Sequence, residues 1–218
     1  RLSSRDGETA YSEGGHIWAL ESFLYPLISR FQYHFCCGKD SDRLDRPEWS
    51  FRYLEKAVEN HFNFIMMELQ PLMRETVRAI SSSVEPNLTG MQKTVPIVSA
   101  ITPVSARLLN VNIGHEFLNI LIDAQSRRLT QRYGWIKSND AIFSKAVEEC
   151  LDFDSLLKTK YNFGAYYDKL LKGQSYFQFV SWKVFSKDRQ HLDDWIAIDT
   201  RNVLKRLKLL KAQTQGPW

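Results

Sequence analysis

The sequence predicts an all-α protein, and three observations carry that expectation. Apolar residues recur at helical spacing through most of the chain. Convincing strand-like alternation is scarce. With 44% of its 218 residues hydrophobic and 13% aromatic, the chain can bury a sizeable core as one large helical module or two small ones, which excludes a disordered chain. Nothing repeats at a fixed period, which argues against a solenoid.

The first helical run is HIWALESFLYPLISRFQYHF, where Ile17, Leu20, Leu24, Leu27, Ile28 and Phe31 fall on one stripe. Pro26 is expected to bend it, because proline removes a backbone donor and crowds the previous turn. The second helix opens with Asp45 as the expected cap, Pro47 in the first turn and Glu48 against the positive helix end. Trp49, Tyr53, Ala57, His61, Ile65 and Leu69 follow at close to i+4, and Leu54, Val58, Phe62 and Leu72 widen the face. So wide an apolar face suits a helix buried among several others, with His61 as a hydrogen-bonded core histidine.

From Ser81 to Pro103 the pattern dissolves into SSSVEPNLTGMQKTVPIVSAITP, a connection rich in proline and hydroxyl residues. The expected organisation is therefore a helical segment over 1–83, a connection over 84–103 and a second helical segment over 104–218. Periodicity returns in HEFLNILIDAQSRRLTQRY, where Phe117, Leu121, Ala124 and Leu129 alternate with a polar face, and Gly134 is the expected left-handed cap. Asn139 or Asp140 caps the next helix, which carries Ile142, Phe143, Val147 and Leu151. DFDSLLKTKYNFGAYYDKLL continues it, with Gly164 a weak point. YFQFVSWKVF reads as helix in preference to strand, and LDDWIAIDTRNVLKRLKLLKAQ closes the chain as a long helix.

Bulk charge and targeting signals exclude several classes. A net charge of +4 is too mild and too spread for a committed nucleic-acid binder. No apolar run approaches the ~20 residues of a membrane span, and the polar start RLSSRDGETA is no signal peptide. The missing initiator Met and the abrupt TQGPW finish read as an excised piece of a longer chain. Three cysteines, Cys36, Cys37 and Cys150, two of them adjacent, make a poor disulfide framework and point to a reducing compartment.

Catalytic and metal signals are weak. His34, Cys36 and Cys37 lack the second ligand pair of a structural zinc site, and the adjacent cysteines read as small hydrophobes at a helix end. Asp193, Asp194 and Asp199 leave open an all-α magnesium–diphosphate enzyme, although Ala197 stands where a D-D-x-x-D motif needs its third acid. The plainer reading makes Asp193 and Asp194 the acidic start of a helix. No phosphate-binding loop, nucleophile elbow or zinc-protease motif occurs. The residues Arg201, Lys205, Arg206, Lys208 and Lys211, interleaved with Val203, Leu204, Leu207 and Leu210, make an amphipathic basic helix. It reads as a solvated face over a buried stripe, or as a surface for acidic lipid or an acidic partner.

The segment RFQYHFCCGKDSDRLDRPEW, Arg30 to Trp49, reads as a corner between two helices. Tyr33, His34 and Phe35 finish one helix, Gly38 turns, and Pro47-Glu48-Trp49 opens the next with Trp49 as the core anchor. It also resembles the R-[FY]-x-Y-H-F-x-G … [KR]-P-E-W signature of the RINT/TIP family of vesicle-tethering subunits, through Arg30, Tyr33, His34, Phe35, Gly38, Pro47, Glu48 and Trp49, with Arg46 where Lys is usual. An extra Cys precedes Gly38, and Ser41-Asp42 replaces the usual Thr-Asn. Downstream, HEFLNILIDAQSRRLTQRYGW and FDSLLKTKYNFGAYYDKLL are similar to later family regions, the second without its Trp and Glu.

The resemblance implies rod-like stacks of antiparallel helical bundles in a subunit of the Dsl/NRZ tethering complex, which captures Golgi-derived COPI vesicles at the endoplasmic reticulum. It implies an ER SNARE and a sibling tether subunit as partners, no catalytic residues and no cofactor. The expected location is cytoplasmic, peripheral on the endoplasmic reticulum membrane. This chain would be a middle portion of a much longer one.

Overall fold

The computed structural model describes residues 18–84, 111–164 and 179–214. Among the described residues, seven α-helices run in order: α1 (Trp18–Phe35), α2 (Glu48–Phe64), α3 (Gln70–Val84), α4 (Ile113–Gln131), α5 (Tyr133–Lys137), α6 (Asp140–Tyr161) and α7 (Arg189–Thr214). Two π-helical turns, Ile65–Leu69 and Trp182–Ser186, complete the described secondary structure, which contains no strand. The all-α expectation is what the structure shows. The second π turn and the two helical residues before it make the 180–185 part of YFQFVSWKVF helical; Tyr176 to Gln178, and the 84–103 connection beyond Val84, lie outside the described residues.

α4 is the axis of the bundle. Its apolar residues Phe117, Leu118, Leu121, Ile122 and Leu129 are fully buried, and the polar Asn119, Gln125, Ser126 and Arg128 are buried as well. α1 and α2 pack on one side of this helix and the second π turn on another, while α6 rests on α2 and α7 on α6. One continuous apolar core joins Leu24, Phe31 and Phe51 from before the connection to Phe117, Phe143, Phe153 and Phe185 from after it.

α2, the first π turn and α3 form one helical rod from Glu48 to Val84, about 55 Å at 1.5 Å per residue. The π turn is the point where the rod meets the start of α4. Gln70, the first residue after it, is buried; its side-chain amide donates to the Val111 carbonyl (3.0 Å) and its oxygen accepts from the Ile113 N–H (2.7 Å). That pairing satisfies a terminal donor of α4, and Asn112 caps the same end by accepting from His115 N–H (3.0 Å). Gly114 lets the Met66 and Phe62 side chains come up against the α4 backbone, since a Cβ there would collide with Met66 and stand 3.1 Å from the Phe62 ring.

Local signals fared unevenly. α1 is helical straight through Pro26. Asn139 caps α6 as expected, accepting from Ala141 and Ile142 N–H. Asp45 does not cap α2: its carboxylate takes a two-pronged contact from Arg43 instead (3.0 and 2.6 Å), and Pro47 stands at the cap. Gly134 is not a left-handed cap but lies inside the short α5, because α4 ends at Arg132 with φ −104° and the chain re-enters helix at once. The left-handed terminus is at Asn162 (φ 53°), which ends α6. Asp193 and Asp194 do not start α7 either; Asp188 caps it, accepting from Gln190 (2.8 Å) and His191 (3.3 Å) N–H.

Candidate functional site

The corner between α1 and α2 is pinned from below by α4. Arg128, with 1% of its side chain exposed, sends its guanidinium up into the loop. Nε donates to the Phe35 carbonyl (2.8 Å), one terminal nitrogen to Ser50 Oγ (3.2 Å), and the other reaches Asp42 Oδ1 at 3.3 Å. Asp42, 2% exposed at its side chain, also takes Arg132 (3.0 Å) and the Gly38 N–H (3.2 Å). Ser50 Oγ donates to the Pro47 carbonyl and accepts from Gln125. The loop carbonyl, turn amide and helix start that a corner leaves unsatisfied are thereby met by one arginine–aspartate pair. Burial pushes the Arg128 guanidinium below its ordinary value, and the Asp42 carboxylate opposes that.

Each residue of the Arg30–Trp49 signature has a distinct place. Phe35 is buried and packs on Tyr53 (5.7 Å between rings), with Arg128 over its face at 5.8 Å. His34 is half-buried, and its carbonyl accepts from Ser41 Oγ (2.7 Å). Gly38 has φ +65°, the left-handed geometry that glycine adopts without strain. Pro47 is buried, and Glu48 is ion-paired to Lys145 (2.7 Å) and Arg46 (3.5 Å). Arg30 and Tyr33 are exposed, with Lys39 over the Tyr33 ring at 4.9 Å. Ser41 and Asp42, which depart together from the resembled pattern, are thus the residues that tie the loop to His34 and α4.

Trp49 corrects the sequence expectation. It is 41% exposed, its ring capped by Arg43 at 6.0 Å, and the core anchor is Phe51, two positions on, packed 5.5 Å from Phe153. A helix starting at Glu48 turns about 200° between those positions, so only one of the two aromatics can face inward. His61, expected in the core, is half-buried.

The candidate metal residues are arranged as follows. Cys36 is half-buried and its thiol pushed up by burial; Cys37 is exposed; Cys150 is buried, its thiol pushed up well above the ordinary value. No three His, Cys, Asp or Glu among the described residues are gathered to hold a metal ion. Asp194 is committed to Lys137 (2.6 Å) and to the Tyr133 hydroxyl (3.2 Å), whose ring stacks on His191 at 3.5 Å. Asp193 is exposed, and Asp199 lines a groove with Trp195 and Ile198 on the far side of the helix turn. The three aspartates do not converge as a magnesium–diphosphate site requires.

The basic helix departs most from expectation. Arg201 and Lys205 reach Asp140 at the start of α6 (2.8 and 3.4 Å), and Asn202 donates to Ser144 (2.8 Å). Among the described residues of α7 beyond Asn202, every side chain is exposed. Val203, Leu204, Leu207, Leu209 and Leu210 are all about half exposed or more, so the stripe expected to be buried is on the surface. Arg206, Lys208 and Lys211 accompany it, and Val203 to Thr214 holds no acidic residue. The described helices include none long and apolar enough to cross a membrane.

Comparison with known proteins extends this picture. The chain is 24% identical over 147 residues to the RINT1-like protein of Drosophila melanogaster, which covers 67% of this chain and 16% of the fly protein. It is 32% identical over 56 residues to the protein transport protein tip20 of Schizosaccharomyces pombe, 26% of this chain and 8% of the yeast protein. The chain therefore spans a small part of the length of both relatives. No solved structure matches it. The RINT-1/TIP-1 family matches residues 18–216, an extent that takes in the pinned corner, the α4 axis and the exposed end of α7, and the chain belongs to that family.

Proposed function

We propose that this chain is a non-enzymatic scaffold segment of a vesicle-tethering subunit, acting in Golgi-to-ER retrograde transport on the cytoplasmic face of the endoplasmic reticulum. Family membership and the yeast relative's name as a protein transport protein support the tethering part. The observation that carries the mechanism is the exposed half of α7: a rigid helix, rooted by Arg201, Asn202 and Ile198, presents an unburied leucine stripe among basic residues. A tether works by holding docking surfaces at fixed separation, which raises the effective concentration of the partners it joins.

The occupant is an acidic amphipathic helix, supplied by an ER SNARE or a sibling tether subunit. Ile196, Val203, Leu207 and Leu210 follow at intervals of seven, four and three, a heptad-like seam with Arg206 on one flank and Lys211 on the other. A partner with carboxylates at the flanking positions complements it. Asp193 and Asp199 border the Ile196 end of the seam, which favours a helix whose acidic residues meet the Arg206 to Lys211 stretch over a uniformly anionic membrane. A pull-down of the purified chain against the cytosolic regions of ER SNAREs and sibling tether subunits tests this reading. Selective capture of one of them supports it. Silence from a folded sample places the docking surfaces elsewhere and overturns it.

A further inference from the structure

We propose that the groove between α4 and the second π turn binds a phosphate-bearing small anion, a site separate from the α7 seam and independent of the tethering reading. The groove, of about 450 Å3, is walled by Asp123, Ser126, Arg127 and Thr130 along one face of α4 and by Lys183 and Lys187 opposite. Three cations face a single carboxylate there, and that carboxylate, Asp123, is already ion-paired to Lys183. A net positive wall with one neutralised acid disfavours a metal cation and favours an anion.

The donors agree. Arg127 uses only Nε internally, on the Asp123 carbonyl (3.2 Å), and its terminal nitrogens have no partner among the described residues. The Lys187 ammonium has none either. Ser126 also lines the groove, but its hydroxyl oxygen is sealed from solvent. The exposed Thr130, one turn along α4, supplies the hydroxyl instead. A hydroxyl, a forked guanidinium and an ammonium arriving from different sides match the three outer oxygens of a phosphate monoester better than the two of a carboxylate.

Titrating the full chain with a soluble inositol trisphosphate, followed by amide chemical shifts and calorimetry, tests this site. Saturable binding is expected, with shifts centred on Ser126, Arg127 and Lys187. Arg127→Glu and Lys187→Glu, both at exposed positions, should weaken it about tenfold or more, as loss of a charge-assisted contact does. Thr130→Ala should weaken it several-fold while leaving the fold intact, whereas Arg206→Glu on α7 should leave it unchanged. Phosphatidylcholine vesicles with and without a phosphoinositide separate the sources: capture only with phosphoinositide marks a lipid headgroup, and binding of the soluble ligand alone marks a free phosphate. No saturable binding, or binding that survives both charge reversals, overturns the proposal.

Discussion

Arg128 and Asp42 stand 86 positions apart in sequence and meet at 3.3 Å, with 1% and 2% of their side chains exposed. This pair joins the axis of the bundle to the loop between its first two helices. Taking two charges out of water is costly, and it is balanced here by the Phe35 carbonyl, Ser50, Arg132 and the Gly38 amide, which satisfy the remaining lone pairs and protons.

Removing one partner is therefore expected to be severe. Arg128→Ala should cost ~3–5 kcal/mol in urea denaturation, the range for a buried pair broken on one side. Arg128→Lys should recover little of it, because a single ammonium cannot span Phe35, Ser50 and Asp42 as a planar fork does. A loss below about 1 kcal/mol for Arg128→Ala would show that the corner stands without its pin.

The two aromatics that open α2 should separate cleanly. Phe51→Ala should cost ~3–5 kcal/mol, as buried aromatic truncations do, while Trp49→Ala should cost about 1 kcal/mol or less. Equal losses in thermal or urea unfolding would contradict the assignment of Phe51 as the anchor.

A buried carboxylate gives the fold a pH signature. Asp154 on α6 accepts from the N–H groups of Val180 (3.0 Å) and Ser181 (2.9 Å), and burial pushes it up to about 6. Its folded-state value lies above the unfolded value, so its contribution is fully present below about pH 4 and lost as pH rises through about 6. Relative to Asp154→Asn, the wild type should lose about 3 kcal/mol of unfolding free energy between those limits, at 1.36 kcal/mol per unit. His115 works the other way: burial holds it below its ordinary value, so its contribution is present above about pH 6.5 and fades as pH falls. The difference between the two proteins isolates Asp154, and a flat difference would show that the carboxyl is not buried in solution.

The helices were legible because apolar period is a local signal, and the stripes over Leu20–Phe31 and Phe117–Leu129 needed no tertiary knowledge. The polar residues that organise them were not. Gln70, Arg128 and Asp154 find their partners 26 to 93 positions away, so nothing in the local pattern separates them from surface residues. Asp42 was visible only as a departure from the resembled pattern. Trp49 misled because size suggests an anchor, whereas the angular position set by the start of α2 decides it. The α7 stripe misled for the opposite reason: amphipathic spacing marks a face that wants cover, and the cover is not among the helices it packs with.

That uncovered face is the centre of the functional account. The most direct test is an equilibrium titration of the chain and of an Arg206→Glu/Leu207→Ser variant with the cytosolic region of whichever ER SNARE or sibling tether subunit the pull-down captures. The account predicts saturable, salt-sensitive binding that falls about tenfold or more in the variant, with helical circular dichroism unchanged. Equal affinity for both proteins would contradict it, as would loss of vesicle binding, but not of partner binding, in the variant.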